Sequence, residues 1–176
     1  MGKAVIVIDM IHDFVYGKFG SEKAQAVIPC ISTLLDHARK NGIPVIYVKD
    51  AHTAGDKELE VWGEHAMKGT EGSQIIMELV PKAGDYVLEK STYSSFRDTG
   101  LDALLRELNV DEVVLTGVTT DICVRHSAAD AFFRGLEIII PRGCVNSFSD
   151  EIQERALKEM VDLYRARVEE LEKVMG

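Results

Sequence analysis

Ala4-Val5-Ile6-Val7-Ile8 is an unbroken run of apolar, mostly β-branched residues. Runs that are apolar at every position, and not at alternate ones, belong to strands of parallel sheets covered on both faces. Four similar segments follow: Val45 to Lys49, Asp85 to Glu89, Glu112 to Leu115, and Leu136 to Ile140. Between them the apolar residues recur at three- and four-residue spacing, the period of a helix packed on one side. Ser21 opens one such segment, expected to continue as a single helix to about Lys40 and to close at Asn41-Gly42. Ser73 to Leu79 and Leu101 to Leu108 are predicted as short helices. Ile122, Val124, Ala128, Ala129, Ala131, Phe132 and Phe133 mark a helix directly after the fourth strand, with Thr120 and Asp121 as N-cap residues. Ser149 or Asp150 caps a last helix to about Val174, and residues 151–176 are expected to form this C-terminal helix, a surface helix or a partner-contacting element. The alternation predicts an α/β fold: a three-layer, doubly wound, mostly parallel sheet with helices on both faces. No repeat or linker divides the chain, so residues 1–176 are expected to be a single domain.

Composition narrows the partners. The net charge of −9 argues against nucleic acid and anionic membrane surfaces. No apolar run is long enough to cross a bilayer, and a secretory leader is not expected. The three cysteines, Cys30, Cys123 and Cys144, are far apart and form no Cys-x-x-Cys pair. That pattern predicts a reducing, cytoplasmic setting without disulfides, with Cys30 an inert core residue and Cys144 structural. No Gly-x-Gly-x-x-Gly follows the first strand and no Gly-Lys-Ser/Thr occurs, so a nucleotide site is not expected.

In parallel sheets of this kind, ligands bind beyond the carboxyl ends of the strands. Asp9, Asp50, Lys90 and the turn leading to Cys123 all stand at such ends. Cys123 is expected in the first turn of its helix, where unpaired N–H groups and the dipole favour a thiolate. The same N–H groups could hold an oxyanion. Asp9 could take the thiol proton, and Lys90 could offset the charge and lower the thiol pKa.

Asp50-Ala51-His52 and His65 form a second group. An aspartate and two histidines suit zinc, or another divalent metal, and three protein ligands leave room for water or substrate. Asp50 and His52 are two apart in extended chain and so point the same way, and His65 returns across the long irregular stretch from Ala51 to about Gly72. Glu58 and Glu60 are possible fourth or outer ligands; His12, His37 and His126 are not expected to bind metal. Phe14, Trp62 and Tyr93 either pack the loops down or hold a flat substrate between aromatic faces.

Taken together, Ile8-Asp9-Met10, Asp50-Ala51-His52, Trp62-Gly63-Glu64-His65 with Gly69-Thr70-Glu71-Gly72, Lys90-Ser91-Thr92-Tyr93-Ser94-Ser95-Phe96, and Gly117 to Val124 resemble the isochorismatase-like cysteine hydrolases, nicotinamidases most closely. The likeness runs from about residue 3 to residue 148. It implies the isochorismatase-like hydrolase fold and a catalytic triad of Asp9, Lys90 and Cys123. It also implies a non-proline cis peptide at Val118-Thr119, which would aim the Thr119 N–H, with that of Cys123, at an oxyanion. In nicotinamidases, residues matching Asp50, His52 and His65 hold zinc that binds the pyridine nitrogen, with Glu58 a weaker candidate. Phe14 and Trp62 match positions that sandwich the ring. The segment Thr53 to Val61 lacks the proline and aromatic pattern that many nicotinamidases carry, and Gly63-Glu64 replaces their usual proline-rich approach to the last histidine. Family members without the metal site hydrolyse N-carbamoyl compounds such as N-carbamoylsarcosine, and those acting on isochorismate lack the cysteine. The expectation is therefore a zinc-dependent amidase converting nicotinamide to nicotinate and ammonia through a thioester. The alternatives are an N-carbamoyl-compound hydrolase and a non-catalytic zinc or small-ligand module. The family pattern and the last helix also suggest a homo-oligomer.

Overall fold

The structure, a computed structural model, describes residues 2–176. The first apolar run forms β1 (Gly2–Ile8). Ala4, Ile6 and Ile8 enter the core on one face of the sheet, Val5 and Val7 the core on the other. Both faces are buried, so the strand is apolar at every position instead of alternating. Next come α1 (His12–Val15), α2 (Glu22–Ala26), α3 (Ile28–Lys40), β2 (Val45–Asp50) and α4 (Glu58–Trp62). They lead to β3 (Tyr86–Lys90), α5 (Leu101–Glu107) and β4 (Val110–Val118). A π-helical turn over Thr120–Val124 runs into α6 (Arg125–Phe133), then β5 (Glu137–Pro141), β6 (Val145–Asn146), α7 (Asp150–Tyr164), β7 (Arg167–Glu169) and α8 (Leu171–Met175).

The seven strands form one sheet in the order β3-β2-β1-β4-β5-β7, with β6 pairing the far end of β4, and these strand pairs are parallel. Leu101 and Leu105 of α5, Ala128 of α6 and Leu157 of α7 cover one face. Ile31, Leu34 and Leu35 of α3 and Val174 of α8 cover the other. The three-layer parallel architecture expected from the strand pattern is the one observed. The order reverses between β1 and β4, which places the ligand crevice outside their carboxyl ends. Gly117 is required there: a Cβ on it would lie 1.9 Å from the Ile8 carbonyl oxygen.

Several local expectations are corrected. Residues 21–40 form two helices, not one: the chain breaks at Val27, and Pro29 occupies the first turn of α3. Proline fits a first turn and disrupts a helix interior, so α3 starts afresh there. Residues 73–79 hold no α-helix; Glu71–Ser73 and Met77–Leu79 are single 3₁₀ turns. The expected C-terminal helix over 151–176 ends at Tyr164, where Arg165 takes a left-handed conformation (φ 55°). The chain then adds β7 beside β5 and crosses to the opposite layer as α8. No glycine or proline marks that break. Ser149 is the residue that caps α7, accepting the Ile152 N–H. Thr120 and Asp121 do not cap the helix after β4; Asp121 instead accepts the Ser147 hydroxyl.

Cys30 and Cys144 are joined in a disulfide, against the expectation of separate cysteines in a reducing setting. They are 114 residues apart in sequence. The fold brings them together by packing the first turn of α3 against the turn that follows β5.

Candidate active site

The expected strand-end residues meet at one rim of the sheet. Asp9 directly follows β1 and is fully buried with φ at 53°, a left-handed conformation that aspartate tolerates better than most residues. Lys90 ends β3 opposite Asp50 of β2 in the strand register. Its Nζ lies 2.8 Å from Asp9 Oδ2, 2.5 Å from Asp50 Oδ1 and 3.7 Å from Cys123 Sγ. Cys123 sits in the π-helical turn after β4 and is the one free cysteine among the described residues. Asp9 Oδ1 accepts the Asp50 N–H at 2.8 Å. Asp9 Oδ2 touches Lys90 without an aligned hydrogen bond, so it is the oxygen left to take a proton from the adjacent thiol.

Burial and charge act against each other in this dry cluster. Asp9 and Asp50 bring two negative charges and Lys90 one positive. Burial pushes the Cys123 thiol well above its usual pKa; Lys90 pulls against that rise, and Asp9 and Asp50 add to it. Burial first, then Asp50, push Asp9 up to about 6, against the pull of Lys90. Burial alone would lower Lys90, but its two carboxylate neighbours hold it well above the usual lysine value. Burial would likewise raise Asp50, yet Lys90 keeps it below the ordinary carboxylate range. The thiol proton thus has an acceptor of raised affinity beside it, and the ammonium stays charged to balance what forms.

The peptide between Val118 and Thr119 is cis. Thr119 and Cys123 both line the cavity above the thiol, and Thr119 carbonyl oxygen accepts the Ile122 and Val124 N–H groups, closing the turn that holds the sulfur. The cavity measures about 410 Å³ including its open mouth. That is near the lower end of ligand sites, the size for a small molecule.

Asp50, His52, Glu58 and His65 form a second cluster at the same cavity, all four buried, with one donor atom from each within 4.8 Å of the others. Asp50 Oδ2, His52 Nε2 and Glu58 Oε1 are buried atoms without a hydrogen-bond partner. Buried polar atoms are normally satisfied, so these orphans at the cluster fit a group that could hold a cation. Their chemistry, two imidazoles and two carboxylates, suits zinc. The outer contacts agree. His52 Nδ1 lies 3.2 Å from Asp56 Oδ2, and His65 Nδ1 lies 2.8 Å from the Gly63 carbonyl oxygen. Each contact engages Nδ1 and leaves Nε2 facing the cluster, the usual way a ligating histidine is oriented. Burial and Asp50 raise Glu58 to about 7, a repulsion that a cation would relieve. Glu60 is exposed and stands outside the group.

Phe14, Trp62 and Tyr93 all line the cavity. Trp62 Nε1 donates to the Tyr93 hydroxyl at 3.0 Å, joining the end of α4 to the loop after β3. Sequence reasoning missed Phe19, which stacks on Phe14 with ring centroids 5.8 Å apart and meets Trp62 and His65 edge-on. It also missed Phe148 at the mouth and Asp56 behind His52. Phe19 carried a signal: it lies five residues after Phe14 in the same loop. His126 packs on Tyr93, and His12 lies beside Tyr16 and the exposed Glu71.

The isochorismatase domain family matches residues 3–172. The structure of N-carbamoylsarcosine amidase from Thermoplasma acidophilum superposes with a TM-score of 0.95 at 39% identity, covering 100% of both chains. The nicotinamidase/pyrazinamidase PncA from Bacillus subtilis gives a TM-score of 0.91 at 34% identity, over 97% of this chain and 100% of its own. The pyrazinamidase of Pyrococcus horikoshii, in complex with zinc, gives 0.89 at 26% identity, over 97% and 99%. On its sequence, its sheet order and its strand-end cluster, the chain belongs to the isochorismatase family of hydrolases, among relatives named as amidases.

Proposed function

We propose that this chain is a zinc-dependent cysteine amidase that hydrolyses nicotinamide to nicotinate and ammonia. One observation carries the reading: Asp9 and Lys90 lie buried beside Cys123, which lines a small aromatic-walled cavity bordered also by Asp50, Glu58 and His65 of the four-donor cluster. Asp50, His52, Glu58 and His65 would hold the metal, which when bound supplies a Lewis-acid anchor for the ring nitrogen.

The protein groups do the rest. Phe14, Phe19 and Trp62 present ring faces and edges to a flat substrate. Cys123 Sγ attacks the carboxamide carbon while its proton passes to Asp9 Oδ2. The oxygen gains the negative charge and is received by the Thr119 and Cys123 N–H groups. Asp9 returns the proton to nitrogen, the C–N bond breaks, and ammonia leaves a thioester. Water then attacks the thioester carbon and gives a proton to Asp9. The C–S bond breaks, the sulfur takes that proton back, and the acid is released. Lys90 remains charged throughout and balances whichever of Asp9 and Cys123 is anionic.

A second reading, hydrolysis of N-carbamoyl compounds, is favoured by the likeness to N-carbamoylsarcosine amidase. The cavity wall argues against its anionic substrates: no arginine lines it, and the nearest buried cation, Lys90, is already paired to two carboxylates. Ammonia release settles the matter, measured with nicotinamide and with N-carbamoylsarcosine, each with and without a chelator. Release from nicotinamide that stops on chelation and returns with zinc is expected. Full activity in the metal-stripped chain overturns the zinc role, preference for N-carbamoylsarcosine overturns the substrate, and activity surviving Cys123→Ala within tenfold overturns the mechanism.

A further inference from the structure

His65 lies on neither a helix nor a strand. Its place is set by the peptide that follows it. The Ala66 carbonyl oxygen accepts the His52 N–H at 2.9 Å, and the Lys68 N–H reaches the His52 carbonyl oxygen at 2.8 Å. This pairing ties the two histidine segments together. The remaining group of residue 66, its N–H, donates to Asp13 Oδ2 at 2.7 Å. Ala66 has no solvent exposure and a left-handed φ of 45°. Alanine avoids that conformation, at a cost of about 1–2 kcal/mol, so it persists only where surrounding bonds hold it.

Asp13 itself is closely confined. A Cβ on Gly72 would lie 2.3 Å from its Oδ2, and one on Gly17 would lie 2.5 Å from its Oδ1. Two glycines thus leave room for the carboxylate and for little else. The neighbouring Phe14 ring meets the His65 imidazole edge-on at 5.7 Å. Asp13 belongs to neither the catalytic trio nor the four-donor cluster.

We propose that Asp13 is a positioning residue for the metal cluster: by fixing Ala66 it orients His65 towards Asp50, His52 and Glu58, and so sets metal affinity. It touches neither substrate nor reacting atoms. The inference rests on the metal reading above. Outer contacts of this kind are worth on the order of 10- to 100-fold in metal affinity.

The test is the zinc dissociation constant, measured by competition with a chromophoric chelator, for wild type, Asp13→Ala, Asp13→Asn and Gly72→Ala. Unfolding midpoints of the metal-free chains are recorded in parallel. Asp13→Ala is expected to weaken zinc binding by about 10- to 100-fold. Asp13→Asn is expected to recover most of it, because the amide oxygen accepts the same N–H. Gly72→Ala, which keeps the carboxylate but crowds it, is expected to weaken binding too, and it decides the question should Asp13→Ala fail to fold. Unchanged zinc affinity in Asp13→Ala, or equal loss in Asp13→Asn, overturns the positioning role. A lower unfolding midpoint with unchanged affinity does the same, marking a purely structural contact. A wild-type chain that binds no zinc overturns the metal reading itself and this inference with it.

Discussion

Lys90 and Asp50 face each other across the β2–β3 register, with the ammonium 2.5 Å from one carboxylate oxygen while the other oxygen points at His52. Asp50 is thereby shared between the catalytic trio and the metal cluster. Removing the amine strands two buried carboxylates. Lys90→Met is expected to abolish amide hydrolysis and to cost about 3–5 kcal/mol of stability, the range for breaking a buried pair from one side. Urea denaturation of the metal-free variant checks this; a loss below about 1 kcal/mol, the surface-pair range, would show the cluster to be solvated.

The Trp62–Tyr93 hydrogen bond fixes the indole that walls the cavity. Tyr93→Phe keeps the ring and removes the acceptor. KM for nicotinamide should rise several-fold, consistent with about 1 kcal/mol for one such bond, while kcat changes little. An equal fall in kcat with KM unchanged would instead place Tyr93 at the reacting atoms.

At the opposite end of the sheet, Arg39 bridges Asp85 and the buried Tyr47 hydroxyl. Burial, aided by Asp85 and opposed by Arg39, pushes Tyr47 up to about 12. The unfolded phenol ionises near 10, so the unfolded state binds fewer protons between those values and stability falls as pH rises. The loss from this group amounts to about 1.4 kcal/mol at pH 11 relative to pH 8. Tyr47→Phe should lose that much less over the same interval, read as the shift in urea midpoint. Parallel pH profiles for the two proteins would remove Tyr47 as the cause.

The Cys30–Cys144 disulfide closes a long loop across the fold. Its removal, by reduction or by Cys30→Ala with Cys144→Ala, should destabilise the chain by about 2–5 kcal/mol. Denaturant midpoints with and without reductant measure it. Cys123 contributes nothing to the difference, being unpaired in both forms.

Much of this protein can be read along the chain, because its strands are buried on both faces and therefore advertise themselves as unbroken apolar runs. Asp9, Asp50 and Lys90 could be placed at strand ends for the same reason: once the runs are located, so are their carboxyl termini, and a parallel sheet puts those termini on one rim. Local signals were also sufficient for Ser21, whose capping contact spans three residues, and narrowed the cap of α7 to Ser149 or Asp150. What the chain order could not contain was distance between residues remote in sequence. The Cys30–Cys144 bond, the tie from Asp13 to Ala66 across 53 positions, and Phe19 folding onto Trp62 all depend on how loops close over the sheet. The end of α7 at Arg165 was equally hidden, since an arginine in a left-handed conformation is chosen by the pairing of β7 with β5 and not by its own preference. The surroundings of Cys123 were hidden in the same way. Its position in the first turn after β4 favours a thiolate, but only the packed structure shows that the sulfur is buried beside two carboxylates, and burial pushes the thiol pKa up against the pull of Lys90.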